Sequence, residues 1–237
     1  MADWVTISSL ATAGGTLVLA VATFSSVRSA NRSARVAEQS MLLGSKPVLI
    51  PSREEDPVER VRFGDGTFLN IAGHGAAAQA RDGRIHMGIG LRNGGAGLAV
   101  ILGWRARTQA GEQARTGGPA ISSSHDAPTP SLADFRRQQL DLYIPAGETG
   151  YWLGGIYDPD EPGYRDVMNA LRSDDGGVIW VDLLYGDHEG GQRTIVRFGI
   201  SEWPSDGDEE IGERTYVLRY WDPGDQAWPP GPQGSAT

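Results

Sequence analysis

The sequence predicts a mainly β protein: an antiparallel β-sandwich behind an N-terminal transmembrane helix and stalk, with one short inserted helix. Three observations predict it. Residues 4–27 carry no charge, with Asp3 before them and Arg28 after. From residue 47 onward, short runs of branched and aromatic residues recur between Gly, Pro, Asp and Asn clusters. Beyond the stalk, helical spacing appears only in 163–172 (GYRDVMNALR). The expected organisation is a transmembrane anchor at 1–27, a helical juxtamembrane stalk at 28–46, a sandwich at 47–222 and a disordered tail at 223–237.

The uncharged run would extend about 36 Å as a helix, against a hydrocarbon core of about 30 Å. Ser and Thr within it can bond the carbonyl one turn back, and Trp4 suits the lipid–water boundary. A cleaved signal peptide is the rival, since Ala20-Val21-Ala22 resembles a cleavage site. The first residues, however, hold Asp3 and no basic group, so an uncleaved anchor is preferred. Arg28, Arg32 and Arg35 lie on one helical face at the membrane surface and place the C-terminal body in the cytoplasm. The small residues Ser8, Thr12, Thr16 and Ala20, with Ala11 and Gly15, would allow weak pairing of two such helices.

The stalk (RSANRSARVAEQSMLLG) should end at Gly44, with Pro47 close behind. Strands are expected at 47–51, 59–63, 67–72, 84–92, 97–107, 138–144, 149–157, 177–185, 192–200 and 213–221. Asp65-Gly66 marks a hairpin, Pro145-Ala146-Gly147-Glu148 a tight turn, and 186–191 a further turn. In 177–185, Ile179, Val181, Leu183 and Tyr185 face one way, opposite Trp180, Asp182 and Leu184. Residues 108–135 read as a long polar loop, mobile around 122–130. The inserted helix would cap an end or flank of the sandwich through Tyr164, Val167, Met168 and Leu171.

Composition excludes several chemistries. The 237 residues include no Cys, so no disulfide scaffold, thiol nucleophile or cysteine-held metal exists. A net charge of −9 argues against nucleic-acid binding. Residues 1–46 hold four basic groups against Asp3 and Glu38, a net of +2, which leaves −11 for residues 47–237.

Four histidines, His74, His86, His125 and His188, show no metal-ligand spacing. His188 in Tyr185-Gly186-Asp187-His188-Glu189 could be a base oriented by a carboxylate, with Asp182 and Asp187 beside it. A hydrophilic hairpin tip reads the same way and is preferred. Asp158, Asp160 and Glu161, and the run Asp206-Gly207-Asp208-Glu209-Glu210, offer oxygens for Ca²⁺ without the twelve-residue calcium loop. No nucleophile elbow, phosphate loop or cofactor motif is present, so no cofactor is expected.

Residues 23–53, 90–104 (GLRNGGAGLAVILGW) and 182–200 (DLLYGDHEGGQRTIVRFGI) together resemble a group of single-pass membrane proteins of high-GC actinobacteria. Those proteins, themselves uncharacterised, have an Arg-studded stalk and a C-terminal β-rich domain. The phrase Leu91-Arg92-Asn93-Gly94-Gly95-Ala96-Gly97 is similar to immunoglobulin-like modules in bacterial membrane proteins, which implies an immunoglobulin-like sandwich and carries no activity. Read physically, the phrase offers φ > 0 and a tight reversal between two apolar strands. That Lys46 is the only lysine among 21 basic residues fits a high-GC source.

The expected function is a membrane-anchored, non-enzymatic interaction or scaffold module. It would reach an unidentified protein partner through the aromatic edge at 216–221. An envelope-associated hydrolase using Asp182, Asp187 and His188, or an exported β-sandwich, are the alternatives.

Overall fold

The computed structural model describes residues 4–116, 127–173, 177–189, 192–203 and 212–228. They form two compact units, Met1–Gly44 and Ser45–Thr237. The first is one unbroken helix, α1 (Trp4–Gly44), running through the uncharged run and the stalk and ending at Gly44. Its hydroxyls bond within the helix: Thr16 Oγ1 to the Thr12 carbonyl at 2.9 Å and Thr23 Oγ1 to the Leu19 carbonyl at 2.8 Å. Among the described residues, no helix is long and apolar enough to cross a membrane.

The second unit is mainly β and antiparallel. Its elements are β1 (Leu49–Pro51), β2 (Glu59–Arg62), β3 (Phe68–Ile71), β4 (Ala76–Arg81), β5 (Arg84–Asn93), β6 (Ala99–Thr108), α2 (Gln109–Thr116), β7 (Arg136–Ile144), β8 (Thr149–Ile156), α3 (Tyr164–Leu171), β9 (Ile179–Gly186), β10 (Arg193–Trp203) and β11 (Gly212–Trp221). The smaller main sheet centres on β5, which pairs with β1 and β4 along one side and β8 along the other. The larger runs β11-β10-β9-β6-β7, and β2–β3 is a separate hairpin turning at Asp65-Gly66.

One buried core draws on both main sheets. Leu49, Met87, Ile89, Leu91 and Trp152 come from the small sheet, and Ile101, Trp104, Val181, Leu183 and Phe198 from the large one. Helix α3 adds Val167 and Met168 to this core, with Tyr164 and Leu171 packed against it, so the expected face is the one used. Strand β9 is buried along its whole length because both of its faces are covered. Ile179, Val181, Leu183 and Tyr185 enter the main core, while Trp180 and Leu184 join a second cluster with Ala127, Leu132, Phe135, Ile195 and Trp221.

That second cluster corrects two expectations. Residues 108–135 include α2 and a short 3-10 turn (Leu132–Asp134), and Glu112, Ala127, Leu132 and Phe135 are buried against the large sheet. The part at 117–126, which includes His125, lies outside the described residues. Nor is the tail loose from residue 223: Trp228 packs on the same cluster, and Gln226 Oε1 accepts from the Leu132 amide at 2.9 Å.

Strand β4 carries almost no β propensity (AAAQAR) and is found by its turn instead. Asp82 (φ 51°) and Gly83 (φ 74°) are both left-handed, the geometry of a type I′ hairpin. The phrase after β5 also differs from expectation. None of Gly94, Gly95 and Gly97 has positive φ, and β5 and β6 are not partners, so the chain there crosses between sheets. These glycines are needed for closeness, since a Cβ on Gly95 or Gly97 would collide with the Lys46 or Ser45 carbonyl. The turn at 145–148 likewise links β7 and β8 in different sheets.

Asn93, fully buried, fastens this crossing. Its Oδ1 accepts from the Val48 amide (3.1 Å) and the Gly95 amide (3.0 Å), and its Nδ2 donates to the Gly97 (2.6 Å) and Ile144 (2.9 Å) carbonyls. All four side-chain bonding capacities are met. Asn93→Leu would strand two buried donors and two acceptors, and should cost about 3 kcal/mol or more. Urea unfolding of the full chain against wild type measures this, and an unchanged midpoint would refute it.

Candidate functional site

The structure separates the residues that the sequence grouped around His188. Asp182 lies mid-strand on β9 and is buried. Its Oδ2 accepts from Arg105 Nε at 2.7 Å, and its Oδ1 from Arg197 Nε at 2.6 Å. Register explains the cluster, because Asp182 stands directly between Arg105 on β6 and Arg197 on β10. Arg197 stacks between Trp180 (4.4 Å) and Trp221 (5.0 Å). Arg105 also reaches Glu112 at 3.2 Å and Asp134 at 3.3 Å, which ties the covering segment to the sheet. Burial works against the Arg105 charge, but Asp182 and Glu112 outweigh it and hold the guanidinium above its ordinary pKa.

His188 sits six residues further on, roughly 20 Å along the chain. Its side chain is 64% exposed at the β9–β10 turn, with Glu189 at 3.8 Å. Asp187 occupies the same turn, donating its amide to the Gln192 carbonyl at 3.1 Å. No acid–base pair joins His188 to Asp182.

The acidic loops fare similarly. Asp158 Oδ1 accepts from the Asp160 amide at 2.9 Å, Glu161 Oε1 accepts from the Asp158 amide at 3.2 Å, and Glu161 Oε2 pairs with Arg136. These carboxylates order a turn. Among the described residues no group of three His, Asp or Glu could hold a metal, and the run at 206–210 lies outside them. His74 has positive φ (53°) and bonds Ser52 through its ring and its amide. Arg28, Arg32 and Arg35 are exposed on α1 and line one shallow groove with Phe24 and Val27.

The expected binding edge is also modified. Strand β11 is an edge of the large sheet, but it lies against the small one. Tyr220 Oη donates to the Leu49 carbonyl at 2.8 Å, the Leu49 amide donates to Tyr185 Oη at 3.4 Å, and Gly75 bridges to Arg214. Trp221 is buried, while Tyr216 and Tyr220 are partly exposed.

The opposite flank, between β7 and β8, is open. Strand β7 pairs Leu142 with Ile101 and then Arg137 with Gly103, so 138–141 stand opposite Leu102 alone and bow the edge outward. Here lies a cavity of about 710 Å³. Its walls include Phe63, Trp104, Leu142, Tyr151, Leu153 and Tyr157, and its charged residues are Arg62, Arg136, Arg137 and Glu161. Arg136 is held against the Trp104 ring at 5.1 Å and donates Nη1 to the Gly155 carbonyl at 3.3 Å. Burial lowers its pKa, against the pull of Glu161.

Next to this cavity, His86 is buried. Its Nε2 lies 2.8 Å from Asp65 Oδ2, and its ring meets Phe63 and Tyr157 edge-on. Sequence spacing does not reveal this pair, although Asp65-Gly66 marks a hairpin turn. The Thr67 amide, then His86, hold the Asp65 carboxyl well below the usual carboxylate range.

Against known proteins, the chain matches no family model, no curated protein and no solved structure.

The buried Asp182 and the exposed Asp65 each yield a prediction. Asp182→Asn should destabilise the chain by about 3–5 kcal/mol, since buried Arg197 loses its counter-charge while Arg105 keeps Glu112 and Asp134; chemical denaturation reads this out. A depressed carboxyl pKa stabilises the fold above the ordinary value of 3.8 and loses that effect as pH falls through the folded value. Asp65→Asn should therefore lower stability at pH 7, and its deficit should shrink below about pH 4. Paired unfolding curves at pH 7 and pH 3 test this, and a deficit independent of pH would contradict it.

Proposed function

We propose that the protein is a membrane-anchored, non-enzymatic interaction module, with the body on the cytoplasmic side as an antiparallel, immunoglobulin-like β-sandwich. The observation that carries the membrane reading is the uncovered apolar run of α1, spread around the helix. Leu17, Val18, Leu19, Val21, Phe24 and Val27 are each between 54 and 71% exposed along one continuous helix. Six large apolar side chains without cover are a surface that water disfavours and lipid accepts. The described part of the helix is diluted by Gly, Ser and Thr, and its hydroxyls bonded to the preceding turn are compatible with a lipid environment. Arg28, Arg32 and Arg35 follow at the interface, and the −11 body is repelled by an anionic leaflet.

Strand adjacency supports the immunoglobulin-like reading. The pairs β5–β8, β6–β9, β6–β7 and β9–β10 correspond to the B–E, C–F, C–C′ and F–G pairs of that fold, with β1 in the place of A. A buried tryptophan, Trp104, stands on the strand in the place of C. Dispersal of the candidate acids and histidines favours binding over catalysis, and the open β7–β8 flank is the surface offered to a partner.

In membranes from cells making the full chain, a carbonate wash should leave wild type with the lipid. Replacing Leu19 and Phe24 by Asp, at about 2.5–3.5 kcal/mol for each charge near a helix centre, should release it. Release of wild type by carbonate would overturn the anchor. A fluorescent C-terminal fusion should be bright, and periplasmic-type phosphatase activity from the equivalent fusion would overturn the orientation.

A further inference from the structure

Resting on the reading of the body as a binding module, we infer that the β7–β8 cavity is a binding site for an amphiphilic anion. Its ligand has a flat aromatic or aliphatic body and one carboxylate-type head. Size comes first: about 710 Å³ lies within the range of sites that enclose a small organic ligand. Wall chemistry comes second, since Trp104, Tyr151, Tyr157, Phe63, Leu142 and Leu153 give broad apolar and π surfaces for a flat body.

Charge decides the head group. The cavity carries three arginines against one glutamate, in a body whose net charge is −11. Glu161 is taken by Arg136, and Arg136 is already committed to Trp104 and Gly155. Arg62 and Arg137 stand exposed at the mouth, and among the described residues no acid pairs with either. An anion seated between them would meet two guanidinium groups at once. A guanidinium presents a planar fork that matches a carboxylate. Gln138 Oε1, buried on the same wall and without a hydrogen-bond partner, adds an acceptor for an N–H or O–H on the ligand. A cationic amphiphile would meet Arg62 and Arg137 and be rejected.

The test uses the full chain in nanodiscs of zwitterionic lipid, with empty nanodiscs subtracted. It titrates 2-naphthoate against its cationic twin 2-naphthylmethylammonium. Saturable binding of naphthoate, at least about tenfold tighter than the ammonium, is expected. The double variant Arg62→Glu/Arg137→Glu changes only exposed side chains and should weaken naphthoate by about tenfold or more. Leu142→Trp, which fills the cavity and leaves the mouth charges in place, should also reduce binding. Thermal unfolding of each variant confirms that it is folded. Equal affinity for the two twins, no saturable binding of either, or unchanged binding in the double variant would overturn the inference. Naphthoate binding by a chain that carbonate releases would sink the anchor and leave the cavity site standing.

Discussion

The junction between the two main sheets is arranged around the four hydrogen bonds of Asn93. That one side chain joins the entry to β1 at Val48, the crossing between the sheets at Gly95 and Gly97, and the end of β7 at Ile144. Each of these segments turns away from regular pairing there, and each would otherwise bury an unpaired backbone group. With the junction satisfied, β5 and β6 leave it into different sheets and the shared core fills between them. The close glycines follow from the same constraint, because nothing larger fits where the crossing presses on the Ser45 and Lys46 carbonyls.

The outer face of the large sheet is organised differently. A charged row, Arg105–Asp182–Arg197, runs across three strands in register and is roofed by tryptophans, Phe135, α2 and the segment after β11. Burying such a group is costly unless it is paired, and here Asp182 pairs both arginines while Arg105 also bonds the roof. The charges set where the covering segment can sit, since Arg105 is bonded to sheet and cover at once.

Much of this was legible where period and turn chemistry agree. The alternation in β9 already places Asp182 with Trp180 and Leu184, opposite Ile179, Val181, Leu183 and Tyr185, and the inserted helix presents the face it is assigned. Strand β4 was missed because Ala-Ala-Ala-Gln-Ala-Arg has no strand character, though Asp82-Gly83 was a readable hairpin signal. The roof over the large sheet was missed because a polar composition hides a few widely spaced anchors, Glu112, Ala127, Leu132 and Phe135. The cavity could not be read at all: its walls come from four separated segments, and Arg136-Arg137 looks like any solvated pair until β7 bows away from β6. Asp182 and His188 seemed close only because six residues in sequence are few; along an extended strand they are far apart.

The short strand β1 has a mechanical consequence. Tension carried along the chain into Ser45 does not reach the long ladders of the large sheet first. It meets three residues paired with the end of β5, two tyrosine hydroxyls on Leu49, and the Val48–Asn93 bond. The body is thus gripped at its entrance by a small set of side-chain hydrogen bonds. The point where the helix's chain enters is also the point where a pulling force would begin to undo the fold.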